Sequence, residues 1–105
     1  GPALGVYSDY ESDGHGAYTL TACVEVKEKI LGDEIHSLTI PKGRYLLFEG
    51  RGAMPMAIIQ TWMSIWNYFE SDEAEHKRAF TIDFEHHLDQ ETVNVYIALA
   101  EDDAA

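Results

Sequence analysis

Cysteine and positive charge are both scarce in this chain of 105 residues. The single thiol, Cys23, excludes an internal disulfide and a cysteine-based zinc site. Lysine and arginine number 7 against 19 acidic residues, a net charge of −12. So few cations suit a nucleic-acid backbone poorly, because Lys and Arg must replace its condensed counterions. No direct nucleic-acid binding is expected. No apolar run reaches the ~20 residues that a bilayer-spanning helix needs, so no membrane partner is expected either. A reducing cytoplasm is the expected compartment. What remains is an ordinary globular balance, 46% hydrophobic and 25% charged, enough for one domain with one modest core.

Period-two alternation marks the strands. Residues 5–10 alternate, the run ESDGHG at 11–16 supplies turn chemistry, and residues 18–26 resume the pattern. Tyr18, Leu20, Ala22, Val24 and Val26 then share a face. Residues 1–4 read as a leading remnant plus the start of the domain, Gly1-Pro2 being of the kind a protease cut leaves. The charged run KEKILGDEIH at 27–36 reads as a loop or short helix. HSLTIPKGRYLLFEG then reads as a strand interrupted at Pro41-Lys42-Gly43, and Gly50-Arg51-Gly52 is expected to end it.

A helix follows. Pro55 suits a first turn, where its missing N–H would be unpaired anyway. Ile58, Trp62, Ile65, Trp66 and Phe69 recur at helical spacing, widened by Ile59 and Met63. The polar run Glu70-Ser71-Asp72 should end the helix, and both tryptophans are expected in the core. Residues 78–87 and 92–100 read as a final hairpin. Pairing them predicts one apolar surface under the helix, with Phe80, Ile82 and Phe84 beside Val93, Val95, Ile97 and Leu99. The opposite surface would carry Asp83, Glu85, Asn94 and Tyr96. The fold class is α+β: an antiparallel sheet of about five strands with one main helix, in a single domain over residues 1–105. One complete β-α-β-β unit spans residues 36–100, and residues 5–26 form the terminal hairpin of a second.

The run RAFTIDFEHH at 78–87 carries the candidate chemistry. Adjacent strand residues point to opposite faces, so His86 and His87 cannot easily chelate one ion, although Glu85 and His87 could. No HExxH helix or cysteine pair supports a metal, and none is expected. Asp9-Tyr10-Glu11-Ser12-Asp13-Gly14 looks like a calcium loop until the twelfth position, which is Leu20 rather than an acid; a hairpin turn is the better reading. No Ser/His/Asp spacing or activated cysteine marks an enzyme. Alternation alone leaves Glu85 open between a solvated face and the floor of a pocket.

Four ordered motifs, IPKGRYLLFEG, QTWMSIWNYF, AFTIDFEHH and VNVYIALA, resemble the GyrI-like small-molecule-binding family. That family includes the effector domain of multidrug-responsive transcription regulators and stand-alone effector-binding proteins, some carried on integron cassettes. GVYSDYESDGHGAYTLTACVEV resembles the end of its first repeat, so the resemblance runs from Gly5 to Ala100. It implies two β-α-β-β units about a pseudo-twofold axis with a ligand pocket between them. Nothing ahead of Gly5 corresponds to the first strand and helix, and a homodimer is expected to cover the edge left open. The family's aromatic pocket holds a buried glutamate in the motif matched by Asp83-Phe84-Glu85, which makes Glu85 the candidate acid. Tyr96 shares its face by alternation, and Trp62, Trp66, Tyr45, Tyr7 and Tyr10 are candidate walls. A buried carboxylate without a partner is costly. A cationic or amphipathic ligand would supply the missing charge, each ring face adding about 0.5–2 kcal/mol of cation–π attraction. No cofactor is implied. Two other readings follow from the same resemblance: hydrolysis of reactive electrophiles, with Glu85 as base and Tyr96 orienting the substrate, and protein–protein inhibition of DNA gyrase. The chain has no helix-turn-helix, so a role in transcription would need a DNA-binding partner.

Overall fold

The computed structural model describes residues 3–13, 15–24 and 39–101. The loop or short helix expected at 27–36, the start of the strand expected from 36 and residues 25–26 of the second strand lie outside the described residues. The fold is α+β, a five-stranded antiparallel sheet with one helix. In chain order the elements are β1 (Ala3–Ser8), β2 (Thr19–Val24), β3 (Tyr45–Arg51), α1 (Met56–Glu70), β4 (Asp83–Asp89) and β5 (Thr92–Ala98). The strands lie in the order β2-β1-β4-β5-β3. Antiparallel pairing of β1 with β4 therefore sets the two hairpins back to back.

Ala3 and Leu4, expected in a leading remnant, belong to β1, where they face His87 and His86. Gly50 and Arg51, expected to break a strand, continue β3 opposite Val93 and Thr92. Gly50 earns its place by close approach rather than by a turn. A methyl group there would overlap the Thr61 hydroxyl and crowd Val93 Cγ1 at 3.1 Å. Thr61 cannot swing away at no cost, because its Oγ1 donates to the Ala57 carbonyl at 2.8 Å. The absence of a side chain is what lets α1 lie down on β3.

The helix begins and ends where the periodicity predicts, and the Ser71 N–H closes it on the Tyr68 carbonyl at 3.2 Å. It packs on β3 and β5. Ile65, Val93, Val95 and Ile97 are wholly buried, with Phe48, Met54, Ile58, Trp62 and Phe69 packed around them. Trp66 does not join this core, contrary to expectation, and is 50% exposed. It lies on the flank of α1 that turns away from β3 and β5, as do the exposed Ile59 and Met63.

The largest correction concerns which sheet face holds the acids. Glu85 stands opposite Val95, and Phe84 opposite Tyr96. Asp83, Glu85 and His87 thus share the helix-covered face with Val93, Val95 and Ile97, while Phe84, Asn94 and Tyr96 lie on the reverse. A register shift between His87 and Asp89 is responsible. Asp89 pairs with Thr92 across the turn; continued without interruption, that register would set Glu85 against Tyr96 and Phe84 against Ile97. One extra residue at Leu88 moves every side chain beyond it to the other face. The turn itself is braced by Asp89, whose carboxylate accepts the Glu91 N–H at 2.8 Å. That bond, followed by one from the Thr92 side chain, holds the Asp89 pKa below the usual range.

The strand expected over 78–87 is also shorter than the alternation suggests. Phe80 has φ of 55°, in the left-handed region that an L side chain visits at a cost. Ahead of β4 only Arg78 bridges to Leu99, and the Ala79 N–H donates to the Ala98 carbonyl at 2.9 Å.

Candidate functional site

Because α1 covers β3 and β5, a trough is left between its free flank and the β1–β2 hairpin. This trough is a cavity of about 410 Å³ lined by Tyr7, Tyr10, Tyr18, Ile58, Ile59, Trp62, Trp66, Arg78 and Glu85. Its rings form one connected series. Trp66 meets Trp62 at 6.1 Å between centroids, Trp62 meets Tyr7 edge-on at 5.1 Å, and Tyr7 meets Tyr18 at 5.5 Å. Tyr18 then reaches Tyr10 at 5.8 Å. Offset and edge contacts of this kind favour a stiff wall.

Glu85 is 8% exposed, but it is not the unpartnered acid that the sequence suggests. Its Oε2 accepts from the Tyr7 hydroxyl and from Trp62 Nε1, each at 2.7 Å. Its Oε1 lies 3.0 Å from His87 Nε2. Gly5 sits directly across on β1, and a Cβ there would come within 3.2 Å of Oε1. The glycine leaves the carboxylate its room. Both donors to Oε2 are neutral, and His87 carries charge only when protonated, so among the described residues no permanent cation is hydrogen-bonded to the acid.

Asp83, two residues earlier on the same face, is the contrasting case. It is wholly buried and fully occupied. Oδ1 accepts the Ala98 N–H at 2.8 Å, and Oδ2 accepts from Arg78 Nη2 at 2.7 Å and from the Tyr10 hydroxyl. Its charge is already matched. Asp83 is a structural acid, and Glu85 is the one left facing the cavity.

Burial, reinforced by the hydrogen bond to Glu85, pushes the Tyr7 phenol well above its ordinary range. Burial and the Asp83 carboxylate do the same for Tyr10. A pKa raised on folding means stability that is complete below the unfolded phenol value of about 10 and lost as pH climbs beyond it. The urea midpoint is therefore expected to fall above pH ~10. The Tyr7→Phe/Tyr10→Phe double variant, measured alongside, should lose less over that interval. An identical fall in both proteins would contradict this assignment.

Of the residues marked in the sequence, the structure gathers Glu85, Trp62, Trp66, Tyr7 and Tyr10 around this cavity. Tyr96 and Tyr45 are not among them. Tyr96 stacks on Phe84 at 4.5 Å, on the reverse face, and Tyr45 makes a T-shaped contact with Phe84 at 5.6 Å. The Tyr45 hydroxyl donates to the Pro41 carbonyl. The face reversal that brings Glu85 under the tryptophans is the same one that carries Tyr96 away. Sequence reasoning missed Tyr18, Ile58, Ile59 and Arg78. Tyr18 could have been found, because it shares the face of Leu20. Arg78 could not, because the turn at Phe80 takes it out of the strand period.

Residues 1–99 match the Cass2 family, integron-associated effector binding protein. The chain belongs to that family. A crystal structure of an integron cassette protein from the mobile metagenome of Vibrio cholerae superposes with a TM-score of 0.79 and 35% identity. The match covers 94% of this chain and 63% of that one, so the chain spans less than two thirds of the solved protein. No curated protein matches. Family membership supports a small-molecule-binding role. Among the described residues no helix is long and apolar enough to cross a membrane.

Proposed function

We propose that this protein binds amphipathic or cationic organic molecules in the trough between α1 and the β1–β2 hairpin, with Glu85 as the charge anchor. The observation that carries the proposal is the arrangement around Glu85: a nearly buried carboxylate held by Tyr7 and Trp62, with no permanent cation paired to it among the described residues, opening onto aromatic rings. A cationic head placed there gains the carboxylate's field in a partly desolvated site and the faces of the surrounding rings. Flat walls fix few directional contacts and so accept many shapes, which fits an effector-type binder better than a single-substrate enzyme. The neighbouring acid, Asp83, cannot compete for the ligand because Arg78 holds it.

The proposal extends to assembly and setting. In this reading the hairpin expected over residues 5–26, seen here as β1 and β2, is the end of a first repeat. Leu20 and Val24 on β2 are more than half exposed, in line with Ile59, Met63 and Trp66 on α1. A homodimer would withdraw this apolar surface from water. The setting is cytoplasmic, and any influence on transcription passes through a fused or separate DNA-binding partner.

The test is a titration of tryptophan fluorescence with a panel of lipophilic cations and reactive epoxides, with product assayed in parallel. Saturable quenching by the cations without product supports the proposal. Turnover of an epoxide, or quenching indifferent to ligand charge, would replace it.

A further inference from the structure

Glu85 and His87 share one strand face, and the fold joins them: His87 Nε2 lies 3.0 Å from Glu85 Oε1. A carboxylate only accepts hydrogen bonds, so a neutral His87 keeps its hydrogen on Nε2 and donates it to Oε1. The other oxygen, Oε2, is taken by Tyr7 and Trp62. Glu85 lines the trough and His87 does not, so the imidazole backs the carboxylate from behind the cavity wall. Its side chain is 30% exposed, which lets it trade protons with water. Across β1 from the pair stand Gly5 and Ala3, and across β5 stand Val95 and Val93, none of which titrates. β2 lies beyond β1, and β3 beyond β5. α1 adds the neutral Trp62 indole and β1 the Tyr7 phenol, which burial keeps neutral well past pH 8. Asp83, two residues along the same face, is matched by Arg78 and hydrogen-bonded by Tyr10. Of the groups that face Glu85, His87 is thus the one whose charge changes near neutral pH.

We propose that His87 sets the charge of the Glu85 anchor and so makes cation binding in the trough depend on pH. The inference rests on the cation-binding reading above and adds the regulation of the same site. With His87 neutral, the pair carries the whole negative charge of Glu85, and the ligand's cation completes it. An imidazole gains its proton between about pH 8 and 5. His87 then becomes the cation paired to Oε1, and the ligand's charge meets a neutral pair with a second positive charge behind it. Ligand and proton therefore oppose each other. The coupling is reciprocal: the proton weakens the ligand, and the ligand expels the proton by the same factor. The effect acts through the field at the carboxylate and requires no movement of the chain.

The experiment titrates the intact protein with phenyl-trimethylammonium and with tert-butylbenzene, its neutral isostere, at about pH 8 and about pH 5.5. Affinities are read from tryptophan quenching. The wild type is expected to bind the cation roughly tenfold more weakly at the lower pH, an ordinary size for coupling between two sites. The neutral isostere should change by about twofold or less, because it has no charge to couple. His87→Gln keeps a side-chain N–H for Oε1 but cannot take up a proton, so its cation affinity should also hold within about twofold. A fall of the wild-type size in His87→Gln would assign the proton to another group, Glu85 included, and overturn the inference. Equal cation affinities at both pH values in the wild type overturn it as well. A second measurement follows the His87 ring by NMR in the wild type near pH ~6.5 as phenyl-trimethylammonium is added. Loss of its proton on binding is expected; a ring that keeps its protonation overturns the inference even if His87→Gln fails to fold. Absence of saturable quenching by phenyl-trimethylammonium at the higher pH overturns the cation-binding reading and takes this inference with it.

Discussion

Asp83→Ala is expected to destabilise the fold by about 3–5 kcal/mol, the range for removing one partner of a buried ion pair. Few single changes approach that size. The carboxylate accepts from three groups in three parts of the chain: Arg78, the Tyr10 hydroxyl and the Ala98 N–H. Alanine leaves all three donors without their acceptor, and one of them is a guanidinium with its side chain 7% exposed. Total stability of a domain this size is ~5–15 kcal/mol, so the variant should unfold at a much lower urea concentration and could lie near the edge of folding. Asp83→Asn separates charge from hydrogen bonding. It can keep the Ala98 N–H bond while losing the ion pair, and it should fall between wild type and alanine. A loss below about 1 kcal/mol for Asp83→Ala would mean that Arg78 finds another partner, and that Asp83 does not organise this end of the trough.

Glu85→Gln should weaken an aryl-trimethylammonium ligand by roughly 10- to 100-fold, the equivalent of about 1.5–3 kcal/mol for a charge-assisted contact. The glutamine oxygen can still accept from Tyr7 or Trp62, so the ring wall is expected to stand. For the neutral tert-butyl isostere, in which carbon replaces the ammonium nitrogen, the change should stay within about twofold, because only shape and apolar contact are involved. The informative quantity is the difference between the two ligands, since any loosening of the pocket affects both alike. Equal losses would remove charge pairing from the account and leave a merely apolar trough.

How far the sequence could lead is clearest from particular residues. Helix α1 was legible to within a residue, because a 3.6-residue apolar period bounded by Pro55 and a polar run has few other interpretations. The strands β4 and β5 were legible as strands, but the face each side chain takes was not. Parity depends on a single extra residue at Leu88, and nothing in the local composition announces a bulge there. That one residue decides whether Glu85 sits with Tyr96 or beneath Trp62. The expected roofing of an apolar face by both indoles was likewise half right. Trp62 reaches the Glu85 carboxylate with its Nε1, whereas Trp66 stays half in water on the flank turned away from β3 and β5. The nearness of Glu85 to Tyr7 came from the family resemblance, since a contact across 78 residues of chain leaves no periodic trace. The same resemblance suggested Tyr45, and strand alternation suggested Tyr96; the fold places both against Phe84 instead. Arg78 was invisible for a different reason: its role depends on Asp83 being buried and on the left-handed turn at Phe80.

The most direct measurement is a crystal structure of the protein with an aryl-trimethylammonium bound. The account places the ammonium beside the Glu85 carboxylate, within about 6 Å of the Trp62 or Tyr7 ring centroid, the range of a cation–π contact. An ammonium seated instead on the reverse face, against Phe84 and Tyr96, would contradict it.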